Sequence, residues 1–191
     1  MDVNKPLVTG LFPDRASAEM AYNVVRERGY SDDEINIVMS NETKKRHFAD
    51  EASQQTELGS KAAEGAGMGG AIGGTLGAIG AAIAAIGTSL AIPGLGLIIA
   101  GPIAAALAGA GAGAAAGGLV GALVGWNIPE ERVKRYDEGV RQGDILLAVQ
   151  PRSDQDAAYF ESTWKQHDAK DVYLGAGSDS RRVATSSEAG R

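Results

Sequence analysis

The sequence contains no cysteine. This absence excludes a disulfide framework and any chemistry that depends on a thiolate. Charge is also absent over one long stretch, because residues 65–129 include no Asp, Glu, Lys or Arg although 22% of the whole chain is charged. The amino terminus lacks the apolar core and cleavage site of a secretory signal, so we expect the polar parts of the chain to stay in the cytosol.

The sequence also lacks a region with an excess of basic residues. The formal net charge is −6, and the residues on each side of the uncharged stretch are acidic: residues 1–64 carry 8 basic and 12 acidic side chains, and residues 130–191 carry 10 and 12. A nucleic-acid-binding module would carry an excess of Lys and Arg. We therefore expect no nucleic-acid partner.

The uncharged stretch has regularly spaced glycines. They recur every four residues at Gly65, Gly69, Gly73 and Gly77, and again at Gly109, Gly113, Gly117, Gly121 and Gly125. Residues four apart share one face of a helix, so each series would form a groove in which another helix can approach closely. We interpret the stretch as a glycine-zipper helical hairpin, with these glycines as helix-packing and oligomerisation residues.

The arms of this predicted hairpin run from Gly65 to Ala91 and from Ile103 to Trp126, with the turn at Pro93, Gly94 and Gly96. At about 1.5 Å per residue, helical arms would reach roughly 40 Å and 36 Å, enough to cross a hydrocarbon core of about 30 Å. Their hydrophobicity makes insertion marginal. The alternative is that the zippers pack against each other and against neighbouring copies.

The segments on either side of the stretch predict an α+β fold. Residues 7–12, 35–39, 145–149 and 171–174 are β-prone runs, and the uniformly apolar third run is expected to be central. Asp14 and Gly29 mark the ends of a first helix, Gly143 stops a helix over 130–142, and residues 153–156 open another. Residues 41–56 are predicted to be a loop.

Two βαβ units in this order predict a ferredoxin-like βαββαβ sandwich with the hairpin inserted between its second and third strands. The expected organisation is a first half-domain over residues 1–56, a glycine-zipper hairpin over 57–128, a second half-domain over 129–175 and a disordered tail over 176–191.

Several short motifs resemble those of the bacterial general stress proteins, the heat-induced stress protein family. They are residues 10–14 (Gly-Leu-Phe-Pro-Asp), Ala18 with Ala21, residues 29–31 (Gly-Tyr-Ser) and the two arms with glycine every four residues. The resemblance covers roughly residues 5–175. It implies a role in stress and the ferredoxin-like fold, and it supplies no catalytic residues.

Candidate chemical sites have simpler explanations. Residues 65–70 match the GxGxxG dinucleotide pattern, but the preceding segment is helix-like and no acidic residue follows until Glu130. His47 and His167 are the only histidines, and metal sites need three or four ligands. The acidic residues 32–34 fit a capping box with Ser31. We therefore expect no cofactor, no metal and no enzymatic activity.

Two basic clusters flank the hairpin, residues 44–46 and residues 132–135. They are equally compatible with ordinary surface charge and with the cytosolic ends of a membrane hairpin. Our preferred prediction is a non-enzymatic, membrane-associated general stress protein of the bacterial inner membrane that oligomerises with itself. The alternative is a soluble, cytoplasmic self-assembling scaffold, and a small-ligand sensor on the sheet face is a third hypothesis that no residue set supports.

Overall fold

Apolar runs rich in Val, Ile and Leu form the strands of this protein. The structure, a computed structural model, describes residues 6–48, 79, 82, 89–92, 96–105 and 128–175. The strands are β1 (Val8–Phe12), β2 (Ile35–Ser40), β3 (Ser89–Ile92), β4 (Leu97–Ala100), β5 (Ile145–Val149) and β6 (Asp171–Leu174). Together with the helices they confirm the predicted α+β class.

The six strands form one sheet in the order β3-β4-β2-β5-β1-β6, and every neighbouring pair is antiparallel. The uniformly apolar strand β5 pairs with β1 on one side and with β2 on the other. The prediction that this strand is central is therefore confirmed. The physical reason is that a strand covered on both faces needs apolar side chains at every position.

The helices whose two ends both lie within the described residues include α1 (Arg15–Glu27), α2 (Glu130–Gln142) and α3 (Asp154–Gln166). The Asp14 carboxylate accepts a hydrogen bond from the Ser17 N–H and caps α1, as predicted. Gly29 and Gly143 follow α1 and α2 with φ values of +81° and +113°, a conformation that glycine adopts without strain. The sequence-based ends of these helices are therefore confirmed.

The sheet is buried on both faces. We call the apolar cluster on one side face A and the cluster on the other side face B. Face A includes Phe12, Tyr22, Val25, Ile35, Ile37, Met39, Ile98, Ile145, Leu147, Phe160 and Trp164 from the strands, α1 and α3. Face B includes Leu11, Val38, Leu97, Ile99, Val133, Tyr136, Val140, Leu146 and Ala148 from the strands and α2. Alternate strand residues go to opposite faces, as strand geometry requires.

The prediction of a loop after β2 is wrong over residues 41–48, which are helical. The Ser40 hydroxyl oxygen accepts a hydrogen bond from the Thr43 N–H at 3.0 Å, in the manner of a helix N-cap. Phe48 is buried in face A. Because the segment is polar, its sequence did not indicate the cap at Ser40 or the burial of Phe48.

The helical prediction is also wrong at residues 89–91, where arm one was expected to continue. Residues 89–92 form strand β3 and residues 97–100 form β4, so the predicted turn joins two strands rather than two helices. Strand β4 pairs with β2 from Ile37 to Ser40, and this pairing satisfies the backbone groups at an edge of β2. Gly96 lies in the turn with φ +65°, whereas Pro93 and Gly94 lie outside the described residues.

Candidate functional site

The glycine-rich segment joins the sheet through β3 and β4, and its described residues 79, 82 and 102–105 are helical. We call this region the junction. Helix was predicted at residues 79, 82 and 103–105 in the two arms, and the observed helical stretch begins one residue earlier, at Pro102. Ile79 and Ala82 are buried in face A. Ile103 and Ala104 are buried in face B. The described parts of the two arms therefore lie on opposite faces of the sheet, with the sheet between them.

Asn36 fixes the start of the second arm. It is fully buried on β2, and its side-chain N–H donates to the Ala148 carbonyl oxygen at 3.1 Å. Its side-chain oxygen accepts a hydrogen bond from the Ile103 N–H at 2.7 Å. The first N–H groups of a helix have no hydrogen-bond partner within the helix. The side-chain oxygen of Asn36, on the sheet, provides this partner for Ile103.

Gly101 allows the chain to turn from β4 into the helical residues 102–105. Its φ is +99°, and a Cβ atom at this position would lie 2.4 Å from the carbonyl oxygen of Ile35. No side chain fits at that distance, because the neighbouring atom belongs to the backbone. The junction therefore requires glycine here for conformation and for space.

The two basic clusters differ in their ion pairing. In the second cluster, Lys134 pairs with Glu130 at 2.9 Å, and both Arg132 and Arg135 pair with Asp171. In the first cluster, residues 44–46 form no ion pair with any other residue that the structure describes. Within the described residues, the cations of α2 are therefore neutralised by carboxylates and those of residues 44–46 are not.

The buried polar groups near face B are paired with each other. The Tyr136 hydroxyl lies 2.7 Å from the Thr9 hydroxyl, and burial raises the pKa of Tyr136 to about 12. The nearly buried Asp144 carboxylate accepts hydrogen bonds from the Lys170 ammonium at 2.7 and 2.9 Å. These contacts hold strands and helices together. Because its pKa is raised, Tyr136 stays protonated at neutral pH.

A second polar cluster lies where β2 and α3 begin. Burial alone would raise the pKa of Glu34, but hydrogen bonds from the Ser31 N–H and the Arg152 guanidinium outweigh it and lower that pKa. Arg152 binds Glu34 at 2.6 Å and lies over the Tyr30 ring at 4.3 Å. Burial raises the pKa of Tyr30. The predicted capping box between Ser31 and Glu34 is confirmed.

Two further findings concern metal binding and membrane crossing in the described residues. No group of three or more His, Cys, Asp or Glu side chains there could hold a metal ion. Within the same ranges, none of the helices combines the length and apolar character needed to cross a membrane.

The nine glycines predicted to pack helices, Gly65, Gly69, Gly73, Gly77, Gly109, Gly113, Gly117, Gly121 and Gly125, all lie outside the described residues. Their role remains a prediction. Sequence reasoning missed Asn36 and Gly101. The signals were a lone amide inside an apolar strand and a Gly-Pro pair directly after the run Leu-Ile-Ile-Ala.

Comparison with known proteins adds no relative: no family model, no curated protein and no solved structure matches this chain. The resemblance to general stress proteins therefore rests on the sequence motifs alone.

Proposed function

We propose that this protein is a non-enzymatic self-assembling scaffold in which the glycine-rich arms pack between copies of the chain. The observation that supports this proposal is the position of the arms at the junction. Ile79 of the first arm is buried in face A and Ile103 of the second arm is buried in face B. The sheet separates these described residues of the two arms, and this separation favours pairing of each predicted glycine groove with a helix of another copy.

The same geometry argues against the hypothesis that the hairpin crosses a membrane twice. Ile79 and Ala82 are buried against the sheet, and residues 89–92 are paired within it. The part of the first arm that precedes these residues consists of residues 65–78. They would reach about 21 Å as a helix, less than the roughly 30 Å of a hydrocarbon core.

We further infer that β1, α1, β2, β5, α3 and β6 form a ferredoxin-like unit. Their order along the chain is βαββαβ, and the sheet order β2-β5-β1-β6 with antiparallel neighbours supports it. On this interpretation, α2 covers the sheet face opposite α1 and α3, and β3 and β4 extend the sheet beyond β2. The stress role proposed for this unit rests on the sequence resemblance.

A second candidate function is peripheral or integral membrane association in the bacterial cytoplasm-facing leaflet, with a role in stress. Residues 106–127 would reach about 33 Å as a helix, which is enough for one crossing. The cations at residues 44–46, which form no ion pair with another described residue, favour contact with anionic lipid headgroups, each adding about 1 kcal/mol near the surface. This candidate shares with the first the absence of catalysis and the use of the glycine-rich arms.

The decisive experiment compares two variants of the second arm. On a helix, Gly113, Gly117 and Gly121 share one face, and Ala115 and Ala122 lie on the opposite one. Changing all three glycines to Leu should reduce the particle mass measured by light scattering, whereas Ala115→Leu with Ala122→Leu should not. Equal particle masses for the two variants would refute packing through the glycine face.

Cell fractionation separates the two candidates. A scaffold stays in the supernatant as a particle much larger than the 19.6 kDa chain. A membrane protein sediments with the membranes. It resists an alkaline carbonate wash if the arm is inserted. It is released by the wash if only residues 44–46 bind the membrane surface.

A further inference from the structure

The first helical turn of the second arm obtains its hydrogen bonds from two sources. Pro102 has no N–H, and the N–H groups of Ala104 and Ala105 bond the Gly101 carbonyl oxygen at 3.0 and 3.3 Å. The N–H of Ile103 bonds the side-chain oxygen of Asn36 at 2.7 Å. A side-chain oxygen that accepts from the second or third N–H of a helix acts as an N-cap. Here the cap is on strand β2, 67 positions away along the chain.

The residue directly before the helix cannot provide this oxygen. A Cβ at Gly101 would lie 2.4 Å from the Ile35 carbonyl oxygen and 3.0 Å from the Asn36 Cα. The backbone of β2 therefore leaves no room at position 101 for Ser, Thr, Asp or Asn, the residues that usually cap helices. An asparagine on the adjacent strand does so instead.

The capping amide is itself held by the sheet. Asn36 is fully buried, and its side-chain N–H donates to the carbonyl oxygen of Ala148 on β5 at 3.1 Å. The amide thus connects β5 to Ile103, which lies three positions after the end of β4. A buried polar group that loses a hydrogen bond still carries the cost of its desolvation, so these two bonds determine how the amide is oriented.

We propose that Asn36 is a positioning residue for the second arm: it caps the arm from the sheet and thereby fixes the direction in which the arm leaves the sheet. A cap within the helix's own chain moves with the helix, whereas a cap on β2 ties the helix to the sheet. The inference rests on the proposed function, because identical chains in a symmetric assembly must all present their arms at the same angle.

Two spin labels measure this direction. Because the chain has no cysteine, nitroxides can be attached at Ala105→Cys on the arm and at Glu138→Cys on α2, both of which are exposed. Dilution of the labelled chain with unlabelled protein leaves only the distances within one chain. Pulsed electron–electron double resonance should then give a single narrow distance distribution for the protein with Asn36.

Two substitutions at position 36 separate the cap from the bond within the sheet. Asn36→Leu has a similar size but no oxygen, and it should at least double the width of the distance distribution. Asn36→Asp keeps an oxygen for Ile103 and loses the donor to Ala148, so its distribution should stay narrow. An unchanged width in a folded Leu variant would overturn the proposal. Equal broadening in both variants would also overturn it, because damage to the sheet would then explain the effect.

Hydrogen exchange tests the same cap without a change at position 36, and it decides the question if Asn36→Leu does not fold. The Ile103 amide should exchange as slowly as the amides of β2, measured by mass spectrometry at single-residue resolution. Exchange at the rate of an unstructured peptide would overturn the proposal. Failure of the proposed function is a separate result, an unchanged particle mass when Gly113, Gly117 and Gly121 are replaced, and it does not affect distances within one chain.

Discussion

Gly101 and Gly29 have positive φ values in very different surroundings. Their φ values are +99° and +81°, but a Cβ at Gly101 would lie 2.4 Å from the Ile35 carbonyl oxygen, whereas a Cβ at Gly29 would have no atom within 4 Å. Both positions impose the conformational cost that an L-residue has at positive φ, about 1–2 kcal/mol. Only Gly101 adds a clash with the backbone.

We therefore expect Gly101→Ala to destabilise the protein by clearly more than Gly29→Ala does. The expected losses are about 1 kcal/mol for Gly29→Ala and at least about 3 kcal/mol for Gly101→Ala, since severe losses come from clashes of this kind. Urea unfolding followed by circular dichroism measures both free energies. Equal losses would mean that the chain does not pass close to β2 at residue 101.

Tyr136 predicts a specific dependence of stability on alkaline pH. Burial raises its pKa from 10.0 to about 12. Because the unfolded chain then loses this proton first, the contribution is fully present below pH 10 and is lost as the pH rises from 10 to 12. A shift of about two pKa units corresponds to roughly 3 kcal/mol in the free energy of unfolding.

Tyr136→Phe should flatten the fall in unfolding free energy between pH 10 and 12 by about that amount, measured by urea titration at each pH. Some decline should remain, because burial also raises the pKa of Tyr22 and of Tyr30. Tyr159→Phe is the control, since Tyr159 is 37% exposed. A slope unchanged by Tyr136→Phe would contradict the buried position of its hydroxyl.

At the scale of elements, the key feature is β4 in the place where the sequence predicted a helical hairpin. Val38 and Ile99 are directly opposed in the β2–β4 pairing, and both lie on face B. Directly opposed antiparallel residues have Cα atoms about 4.5–5.5 Å apart, within the range that a disulfide spans. In a helical hairpin these residues would have no such relation.

Val38→Cys combined with Ile99→Cys should therefore form an intramolecular disulfide on mild oxidation, detected by mass spectrometry. The matched control is Val38→Cys with Ile98→Cys, because Ile98 lies on face A and its thiol would be on the other side of the sheet. Both pairs start from a chain without cysteine, so no other thiol competes. Oxidation of the control pair but not of the first pair would disprove this register.

At the scale of the whole molecule, the residues on both sides of the second arm's glycine-rich part are buried in the same face of the sheet. Ala104 and Ile128 are both buried in face B, before and after the glycine-rich residues 106–127. Replacing residues 106–127 by a flexible linker of about ten Gly and Ser residues should therefore leave the sheet intact. If assembly depends on the arm, the same deletion should remove the large particle.

We expect the deletion variant to melt within a few degrees of the full-length protein and to give a much smaller particle mass by light scattering. Loss of the cooperative melt would show that residues 106–127 are part of the folded core. A full-size particle with a normal melt would show that assembly does not depend on residues 106–127.

Much of the fold could be predicted because its signals are local. Asp14, Gly29 and Gly143 mark the helix ends through their own backbone and side-chain chemistry, and the structure has them in those roles. The unbroken apolar run of β5 indicated burial on both faces, and the strand lies between β1 and β2. Signals of this kind need no knowledge of distant residues.

The sequence by itself determined the strands and the helices α1, α2 and α3 on both sides of the uncharged stretch, and thereby the α+β class, but not the helical residues 41–48. Only the tertiary structure decided the conformation of residues 89–92 and 97–100. Short apolar runs fit a helix and a strand equally well, and here β2 offered an edge with backbone groups to pair. The tertiary structure likewise decided which cations are neutralised and on which face of the sheet each arm lies, because these properties depend on residues far apart in the chain.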